Sequence, residues 1–316
     1  VTPAIELRSI TKRYGRRTAL HGIDLSIEPG RVVGLIGPNG AGKTTTMRIL
    51  LDVIRPSSGT AHVLGEDPRL GGPALRRRIG YLPGELALDG RSTAASLLRH
   101  LGELSGGVTA GRIESLAERL GLDLGRPVRS LSKGNKQKVG LVQAFAHSPA
   151  VLVLDEPTSG LDPLVQQEFL ALVREARDAG TTVLLSSHVI SEIEQAADDV
   201  AVLRAGRIVD VSSVDRLRAA ARRTVRIAVP AAERTAAVRA LEALPEFSDL
   251  SWQPDPHDEG TVVLRGSLGD GVAPFVAAVH GLPLLDLVVQ EPDLERAVLS
   301  FYGPEAHEST DEEVSA

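Results

Sequence analysis

Cysteine is absent from the 316 residues. That excludes a disulfide framework, a Cys-ligated zinc site and a thiol nucleophile, and it is compatible with a reducing compartment. No apolar run approaches the ~18 residues of a membrane-spanning helix. The opening Val-Thr-Pro-Ala-Ile-Glu has no basic region followed by an apolar core, so no signal peptide is expected there. Any membrane association must then come through a partner. An excess of positive charge is missing too. The 35 Lys and Arg stand against 41 Asp and Glu, a net charge of −6. This argues against a protein that coats nucleic acid, and no nucleic-acid partner is expected. Lysine is scarce, and three of the five lysines fall at Lys133, Lys136 and Lys138. Taken alone they read as a solvated helix face. A hydrophobic fraction of 42% and a charged fraction of 24% exclude global disorder. The length suits about two domains.

What is present is alternation of strand and helix. Residues 5–10 and 23–27 read as strands joined by a polar turn around Tyr14-Gly15-Arg16-Arg17. The run 32–36 reads as a buried strand, followed by a glycine-rich loop at 37–42. Met47, Leu50, Leu51 and Ile54 then mark a helix with one buried face, ended by Pro56 and Gly59. A strand at 79–82 stops at Pro83-Gly84. Residues 92–128 have helical spacing, with a small-residue linker at 105–110. The fully apolar Val151–Leu154 is expected to be a central parallel strand. A helical stripe (Val165, Phe169, Leu172, Val173), a strand at 181–186, a helix at 189–197 and strands at 200–204 and 207–211 follow. This pattern implies a mainly parallel sheet with helices on both faces. Beyond an Arg- and Ala-rich stretch at 215–223, the order strand 224–229, helix 232–244, strands 249–253 and 261–265, helix 272–279, strand 284–289 and helix 293–301 suits a small ferredoxin-like α+β domain. Residues 304–316 are acidic and polar, and read as a disordered tail.

Gly37-Pro38-Asn39-Gly40-Ala41-Gly42-Lys43-Thr44 fits G-x-x-x-x-G-K-[ST] at every fixed position, between a buried strand and an amphipathic helix. Backbone N–H groups of such a loop wrap phosphates, and the helix N-terminus adds partial positive charge. Lys43 would reach the β/γ-phosphates of a bound nucleotide and Thr44 would ligate Mg²⁺; Thr45 is counted with the nucleotide-binding residues. Asp155-Glu156 ends the run Val-Leu-Val-Leu, at the carboxyl end of a parallel strand, where α/β sheets place their ligands. Asp155 can hold Mg²⁺ there. Glu156 can act as general base for an attacking water.

Five features together resemble the ATP-binding-cassette (ABC) family, over about residues 4–215. They are Tyr14, placed to stack on adenine; the phosphate loop with Asp155-Glu156; Leu131-Ser132-Lys133-Gly134-Asn135, similar to the LSGGQ signature; Ser159-Gly160-Leu161-Asp162, similar to the D-loop; and His188, matching the switch histidine. The resemblance implies an α/β P-loop NTPase fold: residues 1–215 form a nucleotide-binding domain with antiparallel elements and a helical subdomain at about 84–128. A small α+β domain (216–303) and the tail (304–316) follow. It implies catalytic roles for Glu156 and His188. It also implies that Ser132, Lys133, Gly134, Asn135 and Asp162 contact ATP held by an opposite protomer. One phosphate loop per chain then calls for a second ATPase subunit, in the family norm a homodimer. There are departures. Lys133 stands where glycine is common and Asn135 where glutamine is common. After Ile79-Gly80-Tyr81-Leu82-Pro83 the family usually has glutamine; here Gly84 is followed by Glu85. Glycine cannot ligate Mg²⁺. Glu85 stands either as a substitute ligand for Mg²⁺ or its water, or as exposed loop.

A GTPase would want Asn-Lys-x-Asp, and Asn135-Lys-Gln-Lys138 fails at the acid. Long helical hairpins, zinc-binding cysteines and a second cassette are missing, which excludes several soluble ABC machines. Pro292-Asp-Leu-Glu-Arg-Ala-Val-Leu-Ser-Phe-Tyr-Gly303 and Tyr81-Leu-Pro-Gly-Glu85 resemble ATPases of bacterial type-2 exporters of drugs, antibiotics or lipids. That resemblance implies a peripheral subunit on the cytoplasmic face of the cell membrane, held by separate transmembrane permease subunits. The alternative is a cassette of a soluble complex with a C-terminal regulatory module. Retention of both Lys43 and Glu156 argues against an inactive structural cassette.

Overall fold

The structure is a computed structural model that describes residues 2–88, 90–220, 222–269 and 272–290. The chain divides into two compact units, Val1–Val214 and Asp215–Ala316.

In the first unit β1 (Ile5–Tyr14) and β2 (Arg17–Ile27) pair antiparallel around a turn at Gly15. Their inward residues, among them Ile5, Leu7, Ile10, Leu20 and Ile23, are buried. β3 (Val32–Ile36) is buried along its whole length. It feeds the phosphate loop and then α1 (Lys43–Leu50). The sequence stripe extends this helix to Ile54, but it stops four residues sooner. Asp52 takes a left-handed backbone, φ 51°, and the Val53 N–H bonds the Arg48 carbonyl at 2.9 Å. This is a Schellman-type end in which a residue other than glycine takes the left-handed position. β4 (Ser58–Val63) adds to β1, giving a three-stranded sheet in the order β2-β1-β4. It is largely exposed and poor in apolar residues, so alternation does not reveal it. α2 (Pro68–Arg76) was equally hidden, by its kink at Gly72-Pro73. β5 (Ile79–Leu82) follows.

The helical insert consists of α3 (Ala94–Leu104), capped by Thr93, and α4 (Arg112–Arg119). The small-residue linker between them turns through Gly106 and Gly107, both at positive φ. Next come α5 (Lys133–Ala146), β6 (Val151–Asp155), α6 (Pro163–Asp178), β7 (Thr182–Ser187), α7 (Ile190–Ala196), β8 (Asp199–Arg204) and β9 (Arg207–Ser213). Arg119 at the end of α4 pairs with Glu168 at 2.5 Å and Glu175 at 2.6 Å on α6. The main sheet has the order β5-β6-β7-β3-β8-β9. Its neighbours are parallel except β8 and β9, which form an antiparallel hairpin. Register sets up the site: Ile36 lies opposite Ser187, and Asp155 lies opposite Ser186. The carboxyl ends of β3, β6 and β7 therefore emerge side by side.

The second unit begins within α8 (Val214–Ala220), whose first residue closes the first unit. It contains β10 (Arg223–Pro230), α9 (Arg234–Glu242), β11 (Phe247–Asp255), β12 (Asp258–Leu268), α10 (Val272–Val279) and β13 (Asp286–Gln290). The sheet order is β11-β12-β10-β13, with every neighbour antiparallel. This is the connectivity of two interleaved βαβ units. Val225, Ile227, Leu241, Leu264 and Phe275 centre its core, where Phe247 stacks on Phe275 at 6.1 Å. The expected helix at 293–301 and the tail at 304–316 lie outside the described residues.

Candidate functional site

The glycine-rich loop leaves β3 and delivers its backbone to the N-terminus of α1. Gly42 sits there at φ +116°, and a Cβ on it would lie 2.6 Å from the Leu20 side chain. Only glycine meets both conditions. No side chain caps α1, so its first-turn N–H groups remain for an anion. Lys43 is 6% exposed. Its ammonium donates to the Gly37 carbonyl at 2.6 Å and lies 3.4 Å from Glu156 Oε1. A cleft of about 410 Å³ opens above the loop. Tyr14, Pro38, Asn39, Gly40, Gly42, Lys43, Thr44, Thr45 and Glu156 line it, together with Arg17 and Ala19, which sequence reasoning did not single out. Arg17 and Ala19 carry no motif; their strand partner β1 brings them to the cleft beside Tyr14.

Asp155 ends β6 and is 1% exposed. Its Oδ1 accepts from the Ser186 hydroxyl at 2.6 Å, while its buried Oδ2 has no hydrogen-bond partner. A buried carboxylate oxygen left without a donor is costly unless a cation or water uses it. Among the described residues no group of three or more His, Cys, Asp and Glu could hold a metal unaided. One carboxylate oxygen, the Thr44 hydroxyl and phosphate oxygens are instead the donor set that suits Mg²⁺. Burial, and next the Asp155 carboxylate, raise the pKa of the nearby Tyr81 phenol above its ordinary value.

Glu156 adopts φ 47°, a strained backbone for a residue with a side chain. Its N–H donates to Ser186 Oγ at 2.9 Å, and its Oε2 lies 2.7 Å from His188 Nδ1. With the carboxylate ionised, the ring nitrogen is the donor. Lys43, Glu156 and His188 thus form one chain of contacts across three adjacent strand ends.

The signature-like residues lie elsewhere. Ser132 caps α5, its Oγ accepting from the Asn135 N–H at 3.3 Å and from Asn135 Nδ2 at 3.1 Å. Lys133 Nζ donates to Ser159 Oγ at 3.1 Å. A Cβ on Gly134 would meet the Gly160 carbonyl at 2.6 Å, so the signature-like loop lies directly against the D-loop-like one. Asp162 caps α6, accepting from the Val165 N–H at 3.1 Å with Pro163 in the first helical position. None of Ser132, Lys133, Gly134, Asn135 and Asp162 lines the phosphate cleft of its own chain. Glu85 lines a separate cleft of about 400 Å³ with Lys133, Lys136 and Gln137. Gly84 adjoins Asp155: a Cβ there would lie 3.2 Å from Asp155 Oδ2.

Two further residues hold these loops. Gln137, 3% exposed, donates to the carbonyls of Glu156 (3.1 Å) and Pro157 (3.0 Å). A polar residue on the apolar face that Leu141 and Ala144 continue was its signal. Glu192 Oε2 accepts from the hydroxyls of Thr158 and Ser187, both at 2.8 Å.

Comparison with known proteins places the chain in a family. A family model described as "ABC transporter" matches residues 20–159. The chain is 40% identical over 221 residues to the daunorubicin resistance ATP-binding protein DrrA3 of Streptomyces coeruleorubidus, covering 68% of this chain and 70% of that one. To the bacitracin transport ATP-binding protein BcrA of Bacillus licheniformis it is 29% identical over 303 residues, 95% of this chain and 97% of that one. Among solved structures, one described as the ATP binding subunit of an ABC transporter superposes with a TM-score of 0.64 at 29% identity, covering 68% of this chain and 92% of that chain.

Proposed function

This chain belongs to the ABC transporter family as an ATP-hydrolysing, ATP-binding protein, and from that premise we propose that it drives export of a drug, antibiotic or lipid-like substrate through separate membrane-spanning subunits. No helix among the described residues is long and apolar enough to cross a membrane. In this reading the chain works on the cytoplasmic face of the membrane, docked to its permease, and two copies pair head to tail around two ATP molecules. The names of its relatives, a daunorubicin resistance protein and a bacitracin transport protein, support the class of cargo.

The observation that carries the chemistry is the chain of contacts from Lys43 through Glu156 to His188. Tyr14 stacks on the adenine. The loop N–H groups and Lys43 hold the β- and γ-phosphates. Thr44 and the free Oδ2 of Asp155 would hold Mg²⁺, which neutralises phosphate charge when bound. Glu156 takes a proton from a water whose oxygen bonds to the γ-phosphorus. The bond from that phosphorus to the β–γ bridging oxygen breaks, and ADP leaves with the electron pair. The proton on Glu156 then passes to the products. His188 fixes the Glu156 carboxylate in the orientation this transfer needs.

The test is Glu156→Gln. Turnover should fall by roughly 10²–10⁴, the range for loss of a general base. ATP binding should persist, and an ATP-bound dimer should accumulate on a sizing column. Wild-type turnover in this variant would remove Glu156 from the mechanism, and a monomer at saturating ATP would remove the paired arrangement.

A further inference from the structure

Glu156 must keep a left-handed backbone at φ 47° for its carboxylate to meet both Lys43 and His188. A strained backbone persists only where its surroundings over-determine it. From β7, Ser186 Oγ takes the Glu156 N–H at 2.9 Å. Glu192 of α7 holds Thr158 within the same segment, and two side chains of α5 reach the segment as well. Gln137 spends both amide protons on the carbonyls of Glu156 and Pro157. Four residues earlier, on the same helix face, Lys133 lays its stem along Gly160. Its side-chain carbons come within 3.7–3.9 Å of where a Cβ on that glycine would stand. Its ammonium reaches Ser159 Oγ, and the Ser159 N–H in turn bonds the Glu156 carbonyl at 3.2 Å. One face of the helix thus grips both ends of the segment 156–160.

We propose that Gln137 and Lys133 are positioning residues for Glu156, a clamp through which the first two turns of α5 set the aim of the general base. The proposal rests on Glu156 being that base. A lysine at 133 gives this chain a second grip that a glycine at that position would lack. Neither side chain lines the phosphate cleft, so the clamp bears on turnover and not on nucleotide affinity.

A double-mutant cycle on ATP turnover tests it, with the full chain and Mg-ATP. Gln137→Met keeps the length of the side chain and removes both donors. It should lower kcat about tenfold to a hundredfold, the range for loss of a partner that orients a functional group. The Kd for a fluorescent ATP analogue should not change. Lys133→Met should lower kcat roughly two- to fivefold, as one exposed hydrogen bond allows, and Lys133→Arg should restore it. In a Glu156→Gln background both effects should vanish, because residues that act through one group are not additive. Undiminished factors in that background, or an unchanged kcat in Gln137→Met, would overturn the clamp while leaving Glu156 as the base. An unslowed Glu156→Gln would instead strike down the base, and the positioning claim with it. Should Gln137→Met fail to fold, the Lys133→Met cycle, at an exposed position, decides alone.

Discussion

Two polar neighbourhoods of the first unit are built on opposite principles. Around Lys43 and Glu156 the two charged groups are buried and half-buried, His188 stands exposed beside them, and each is engaged inside the chain: ammonium to carboxylate, carboxylate to imidazole, backbone to Ser186 and Gln137. Around Ser132 and Asp162 the side chains are exposed, and they spend their hydrogen bonds capping their own helices. Charges held in a partly dry cleft act strongly on a ligand, whereas exposed ones are screened. The difference teaches that one chain gathers in one cleft the groups we propose as its cradle for ATP, while the residues of its second polar surface do not line that cleft. Binding should therefore be a property of the chain alone, and hydrolysis a property of both neighbourhoods.

The sharpest break between them is Lys43→Ala. A hydrogen bond to a charged group contributes about 1.5–3 kcal/mol, so losing the phosphate contact should weaken ATP binding by roughly ten- to a hundredfold or more. Hydrolysis should disappear with it, since Glu156 also loses its cationic neighbour. Titration with a fluorescent ATP analogue reads this directly. An unchanged Kd would mean that the cradle does not depend on the ammonium.

Ser132→Arg should separate the two properties. If Ser132 matters only as a helix cap, the change costs about 1 kcal/mol of stability and turnover stays normal. If α5 points its first turn at a nucleotide held by a second copy, a long side chain there blocks the approach. Turnover should then fall to background while the nucleotide Kd stays at the wild-type value. Wild-type hydrolysis by this variant would undo the shared-site arrangement and leave the single-chain cradle standing.

How much of this could be read in the residues differs between the same two regions. The cradle follows from local pattern: an apolar strand, glycines at fixed spacing, a lysine, then a second apolar strand ending in two carboxylates. Parallel register then brings the strand ends together without further instruction. The grip of α5 on the 156–160 segment depends on Gln137 meeting carbonyls about twenty residues away, and backbone acceptors carry no mark in a sequence. Glu192 was invisible for a related reason: its two hydroxyl partners lie on separate elements, Thr158 in the loop after β6 and Ser187 at the end of β7. Local signals failed where a residue broke its own rule. Asp52 ends α1 in a conformation usually given to glycine, and Gly72-Pro73 hides α2 because the chain continues as helix after the kink. Lys133 was grouped with Lys136 and Lys138 by charge, yet its stem and ammonium are engaged by the loop at Ser159 and Gly160.

The smallest expected effect belongs to Glu85, and it sharpens where the cradle ends. Were its carboxylate acting beside Asp155, Glu85→Ala would raise the Mg²⁺ concentration needed for half-maximal ATPase activity. Glu85→Gln would recover part of the loss by orienting water. The geometry points the other way. Glu85 lines the cleft of Lys133 and Lys136, and the residue against Asp155 Oδ2 is Gly84, which brings no side chain. An exposed carboxylate that shares a cleft with the exposed Lys133 and the half-buried Lys136 contributes on the order of 0–1 kcal/mol, and a change of that size alters turnover by about fivefold at most. Glu85→Ala should accordingly leave the Mg²⁺ dependence unchanged and shift turnover only slightly. Gly84→Ala, which sets a methyl group close to the free Asp155 oxygen, should raise the Mg²⁺ requirement. ATPase rates measured across a Mg²⁺ titration for both variants decide the matter. A raised requirement in Glu85→Ala, with partial recovery in Gln, would return Glu85 to the cradle and move the boundary between the two neighbourhoods by one residue.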